Sequence, residues 1–167
     1  MAEDRIPVEV VGVRIELPSN SPIVLLRERA GRRHIPIWIG APEAQAIAAA
    51  LDGLEPPRPQ THDLLRLVVE TLGATVDRVD VVELKDSVYF ADLQLSREKE
   101  TFHVSTRPSD AIALAVRAGA QVFVSSQVLA DAGIEFSEES EEDEIERFRE
   151  MLEDVTIEDF LGEDPPG

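Results

Sequence analysis

The chain has 167 residues and a hydrophobic fraction of 43%, enough for one domain with a real core plus an appendage. It has no cysteine, which excludes a disulfide framework and a thiolate zinc site. Its net charge of −18 is uneven: residues 1–134 carry 19 acids against 14 Lys and Arg, and residues 135–167 carry 15 acids against Arg147 and Arg149 alone. Neither part has the basic footprint of a protein that grips nucleic acid by its phosphates.

The N-terminus, Met1-Ala2-Glu3-Asp4-Arg5, is acidic and has no signal-peptide core, and no apolar run is long enough to span a bilayer. A soluble, cytoplasmic protein without a membrane partner is therefore expected. From residue 5 to 17, Val8, Val10, Val13, Ile15 and Leu17 are spaced mostly by two. This predicts a strand with a bulge near Gly12. Ile23–Arg29 and Arg33–Ile39 predict a hairpin around Ala30-Gly31-Arg32, with Pro36 at an edge or bulge and the Trp38 ring opposite Ile37 and Ile39.

A helix is predicted from Pro42 to Gly53, with Ala44, Ile47, Ala48 and Leu51 as its apolar stripe. After a stiff connector, Leu54–Pro59, a second helix is predicted from Thr61 to Gly73, with Leu64, Leu65, Val68 and Leu72 facing the core. Three strands follow, Ala74–Leu84, Ser87–Leu95 and Thr101–Thr106, joined by turns at Lys85-Asp86 and Arg97-Glu98-Lys99. The helix from Pro108 to Gly119 is apolar on nearly every side and must be core. A short strand, Gln121–Ser125, and a short helix, Val128–Ala132, complete the domain.

The pattern predicts an α+β fold over residues 1–136: a mixed, mostly antiparallel sheet with three or four helices. Residues 137–167 read as an acidic tail. Ser137–Glu144 is a solvated linker, and Ile145, Phe148, Met151 and Leu152 then recur at helical spacing as a short amphipathic helix. An edge strand near Pro36 or Val8 makes a homo-oligomer, a dimer first, the expected assembly.

The chemistry-bearing residues gather at three helix starts. Arg107-Pro108-Ser109-Asp110 opens the apolar helix, Pro42-Glu43 another, and Arg58-Pro59-Gln60-Thr61-His62-Asp63 the third. Proline suits the first helical position, and acids in the first turn are favoured by the helix dipole. Ser109, Asp110, Asp63 and Thr61 thus read as simple caps when taken singly. Together the set exceeds what capping requires.

In order and spacing, four segments resemble the bifunctional nuclease domain family: Pro36-Ile37-Trp38-Ile39-Gly40, Glu43-Ala44-Gln45-Ala46-Ile47-Ala48, Pro57–Leu64 and Arg107–Ala115. The resemblance covers roughly residues 5 to 135 and implies an α+β domain with nuclease activity on DNA and RNA. It assigns Glu43, His62, Asp63 and Asp110 as catalytic and Arg58, Thr61, Arg107 and Ser109 as substrate-binding. Glu43, Asp63 and Asp110 are oxygen donors suited to magnesium or manganese. His62, an imidazole, suits an acid or base, while Arg58 and Arg107 suit a phosphate clamp. The alternative is a non-catalytic binding or regulatory module. It would hold a small anionic ligand at Arg107, Ser109 and Asp110, or a protein partner through the acidic tail.

The tail generates a prediction of its own. Its 14 acids compete for the basic groups that nucleic acid would need. Deleting residues 137–167 should raise affinity for nucleic acid, with a gain that shrinks as salt rises, and should leave the melting temperature unchanged. A salt series of binding with a thermal melt checks this. A lowered melting temperature with unaltered affinity would refute it.

Overall fold

Two three-stranded meanders, each followed by a helix that opens on proline, build the computed structural model, which describes residues 4–135. The first is β1 (Arg5–Glu16), β2 (Ser21–Glu28) and β3 (Arg33–Trp38), followed by α1 (Ala41–Leu51). α2 (Thr61–Thr71) leads into the second, β4 (Thr75–Lys85), β5 (Val88–Arg97) and β6 (Glu100–Thr106), followed by α3 (Pro108–Ala118). β7 (Gln121–Ser125), α4 (Ser126–Ala132) and the two-residue β8 (Ile134–Glu135) close the domain. The linker and amphipathic helix expected over 137–167 lie outside the described residues.

The eight strands form one sheet in the order β6-β5-β4-β7-β1-β2-β3-β8. Every pairing is antiparallel except β4 with β7. Over the described residues the fold is thus α+β with a mixed, mostly antiparallel sheet and four helices, as the alternating patterns require. The bulge expected near Gly12 is a register shift between Val10 and Gly12. The turn after β4 places Asp86 and Ser87 at φ of 51° and 63°, the left-handed pair that matches hairpin twist.

α3 is the centre of the core. Pro108, Ser109 and the run Ala111–Ala115 are buried. α1 and α2 flank it, and β4 and β5 lie beneath. The helix stops at Gly119, whose φ of 67° is a left-handed conformation that costs glycine least, and Ala120 N–H closes back on the Ala115 carbonyl. The sheet curls around this helix far enough for the Tyr89 hydroxyl on β5 to donate to the Pro36 carbonyl on β3, at 3.3 Å. Burial raises the Tyr89 phenol above its ordinary pKa.

Of the two edge positions expected, one is corrected and one is met. Val8 does not lie on an edge: β1 sits between β7 and β2, and Val8 is buried. Pro36 does lie on a partly open strand, because β8 pairs only with Arg33 and His34 and leaves the outer side of β3 open beyond them. A further correction concerns α2. Leu64, Leu65, Val68 and Leu72 are exposed, and the buried residues are His62 and Val69. The apolar stripe faces outward because the polar side of the helix is claimed by α3. Asp63 accepts from Arg117 Nε at 2.8 Å and from Gln60 N–H at 2.9 Å. Gln60, not Thr61, is therefore the capping residue.

The reversed face of α2 predicts unequal costs for apolar substitutions. Ile47→Ala on α1, where the side chain is fully buried, should cost about 2–5 kcal/mol. Leu64→Gln should stay within about 0.5 kcal/mol. Chemical denaturation of both variants checks this, and a large loss for Leu64→Gln would contradict the orientation.

A pH dependence follows from Asp63. The Gln60 backbone hydrogen bond, then the Arg117 hydrogen bond, hold its carboxyl below the ordinary value of 3.8. A depressed acid stabilises the fold above its unfolded pKa and loses that contribution as pH falls through the folded one. Asp63→Ala should cost about 1 kcal/mol near pH 7, through lost capping, and much less well below pH 4. Denaturation midpoints of the two proteins across that range measure the difference.

Candidate functional site

The three polar helix starts converge. The Arg107 guanidinium, just before α3, donates to Asp110 Oδ2 at 2.8 Å and, through Nη2, to Glu43 Oε1 of α1 at 3.1 Å. On the other side of Asp110, His62 Nε2 of α2 lies 3.0 Å from Oδ1. One chain of contacts, Glu43–Arg107–Asp110–His62, thus ties all three helices together at one end of the layer.

Each member is placed by local chemistry. Pro108 at the first position of α3 holds Arg107 in extended backbone at φ −70°, ψ 139°, so its side chain departs beside the helix mouth. Asp110 and Glu43 fall in first turns, where the helix dipole favours a negative charge. Gly40 makes room for the Glu43 carboxylate, since a Cβ there would lie 2.2 Å from Glu43 Oε2. The Asp110 hydrogen bond first, with Glu43 adding to it, raises the Arg107 guanidinium above its ordinary pKa and keeps it a cation.

The residues differ in what they can reach. The Arg107 side chain is 67% exposed. His62 is only 8% exposed, so it stands behind Asp110 and orients that carboxylate without facing solvent itself. Asp63 neighbours His62 in sequence but is turned onto Arg117, away from this chain of contacts. Arg58 is exposed on the connector before α2, and Thr61 is exposed at the first position of α2. Neither Arg58 nor Thr61 lines the cleft described next. Ser109 is buried and does line it.

That cleft, about 440 Å³, opens beside Arg107. Its walls include Pro22, Trp38, Gly40, Tyr89 and Ser109. Trp38 and Tyr89 are cleft residues that the sequence alone did not single out, because they come from strands far apart in the chain. Arg117, which holds Asp63, was also missed. The available signal was a lone cation near the end of an otherwise apolar helix.

A divalent ion, magnesium or manganese, held jointly by Glu43, Asp63 and Asp110 does not fit this geometry. Glu43 and Asp110 share Arg107, while Asp63 is bound to Arg117. Among the described residues, no group of three or more His, Cys, Asp or Glu side chains is placed to hold a metal ion. Among the same residues, no helix is long and apolar enough to cross a membrane.

Known proteins are similar to this chain over most of its length. An uncharacterized protein of Mycobacterium tuberculosis (strain H37Rv) is 45% identical over 161 residues, covering 92% of this chain and 96% of its own length. Bifunctional nuclease 1 of Oryza sativa subsp. japonica is 27% identical over 128 residues, 75% of this chain. Bifunctional nuclease 2 of Arabidopsis thaliana is 28% identical over 124 residues, 71% of this chain. The matched segment spans 38% of each of these two plant proteins. The model of the bifunctional nuclease domain matches residues 24–137, a stretch that contains Glu43, His62, Arg107 and Asp110. On these grounds the chain belongs to the bifunctional nuclease domain family.

Proposed function

We propose that this domain hydrolyses nucleic-acid phosphodiesters, in DNA and RNA alike, with Arg107 receiving the phosphate. One observation carries the reading. Arg107 is an exposed guanidinium locked by two carboxylates, and it borders a cleft large enough for a nucleotide. The plant relatives named bifunctional nucleases support the same reaction class.

Phosphodiester hydrolysis needs charge stabilisation on the phosphoryl oxygens, an activated water and a protonated leaving group. A guanidinium presents five N–H donors in a rigid fork, so two held by carboxylates leave others to meet phosphate oxygens. Asp110, flanked by that cation, is the carboxylate we assign to accept the proton from the attacking water, while the leaving oxygen takes its proton from solvent water. His62 is a positioning residue: its Nε2–H held by Oδ1 fixes the rotamer of Asp110. Glu43 does the same for Arg107 from the opposite side. The acidity of residues 1–134 as a whole makes binding depend on this one local cation.

The test is cleavage of single-stranded DNA and RNA by purified full-length protein, assayed with and without magnesium or manganese. Arg107→Ala should lower kcat/KM by about a hundredfold or more, the usual loss when a donor to a developing oxyanion is removed. Arg107→Lys should not restore it, because an ammonium cannot bridge two carboxylates and a phosphate in one plane. Anion or nucleic-acid binding without turnover under any of these conditions would replace the hydrolase reading by that of a non-catalytic binding module.

A further inference from the structure

The cleft beside Arg107 contains an aromatic side chain with no role in the core. Trp38 is 53% exposed, although it ends a strand whose preceding residue, Ile37, is 2% exposed. An exposed indole is large and amphipathic, the kind of side chain enriched at binding surfaces. The ring is also held in place. Its Nε1–H donates to Glu16 Oε2 at 2.7 Å, and the Ser19 hydroxyl donates to the same oxygen at 3.1 Å. With the N–H committed to Glu16, the rest of the exposed indole, an aromatic surface bordering the cleft, is what remains to meet a ligand. Arg107, Pro22 and Tyr89 border the same space.

We propose that Trp38 is a stacking platform for an unpaired nucleobase whose adjoining phosphate is held by Arg107, so that the cleft selects single-stranded over duplex nucleic acid. This deepens the function proposed above and rests on it. The two groups supply the two things a single strand offers at every residue, a flat π surface and a phosphate. A base in a duplex is already stacked on both sides and cannot enter without being extruded, which costs energy. Stacking is tolerant of base identity, because every base has a π face, so the preference should be for strandedness, not sequence. The fixed indole loses little conformational freedom on binding, which favours affinity.

The sequence supplies its own probe, since Trp38 is the one tryptophan in the chain. The experiment titrates the full-length protein with three ligands resistant to cleavage. These are an oligothymidylate, an abasic oligomer of equal length and a blunt duplex, all with phosphorothioate backbones. Intrinsic fluorescence reads Trp38, and anisotropy of an end label reads total binding.

The expected result is quenching by the oligothymidylate, none by the abasic oligomer, and weaker binding of the duplex. Trp38→Ala should weaken oligothymidylate binding about tenfold or more and leave the abasic oligomer unchanged, while Trp38→Phe should retain part of the affinity. If the oligothymidylate binds by anisotropy but leaves Trp38 fluorescence and the Trp38→Ala affinity unaltered, the stacking role is overturned and the nuclease reading stands. If none of the three binds by anisotropy, the nucleic-acid reading itself falls and the stacking role falls with it.

Discussion

Everything in this domain depends on the burial of α3. A helix with Ala111, Ile112, Ala113, Leu114 and Ala115 all buried cannot exist unless the rest of the chain surrounds it. The sheet curls beneath it, and α1 and α2 close its flanks. Its polar groups are confined to its two ends, and each end fastens a neighbouring helix. Arg107 and Asp110 at the start reach Glu43 of α1 and His62 of α2. Arg117 near the end reaches Asp63 of α2 and the Ala113 carbonyl. The hydrophobic requirement thus dictates where charge can be placed, and that placement assembles the site.

The electrostatics of the site follow from the same crowding. In a domain where acids outnumber bases, a lone exposed guanidinium would be drawn to any carboxylate nearby. Here two carboxylates from different helices hold it at once, which fixes the cation and balances Glu43 against Asp110. Removing either acid would release one side of the clamp. Removing the cation would leave two like charges facing each other across a partly buried gap, an arrangement that disfavours ionisation of both. The clamp is therefore an element of structure as well as a feature a phosphate could exploit.

α2 shows how a polar contact can outrank an apolar pattern. Its leucines mark a strong amphipathic stripe, and burial of that stripe would be the ordinary outcome. The opposite face instead carries His62 and Asp63, whose partners Asp110 and Arg117 sit on the buried helix beside it. Leaving the buried Arg117 guanidinium unpaired in the interior would cost more than leaving leucines in water, because an uncompensated buried charge carries a desolvation penalty of several kcal/mol. The helix is oriented accordingly, and Leu64, Val68 and Leu72 are left outside.

The sequence by itself determined the elements. Apolar runs between turn residues marked seven of the eight strands of the described residues, the Pro and Gly positions marked the starts and ends of α1 and α3, and the continuous apolar run identified α3 as core. It also determined which residues could carry chemistry, since Glu43, His62, Arg107 and Asp110 stand out by type at helix starts. These are local properties, written in neighbouring residues. Tertiary structure alone decided the pairings. That Asp63 would turn to Arg117, 54 positions away, and not join Glu43 and Asp110, depends on how α2 rotates against α3. That Trp38 and Tyr89 would border one cleft depends on the curl of an eight-stranded sheet. The two-residue β8 escaped notice because it has no pattern of its own and exists only where β3 offers it an edge. Periodicity records which side of an element is apolar. Which neighbour that side meets is set by packing across the whole chain, where competing polar contacts at distant positions have the final say.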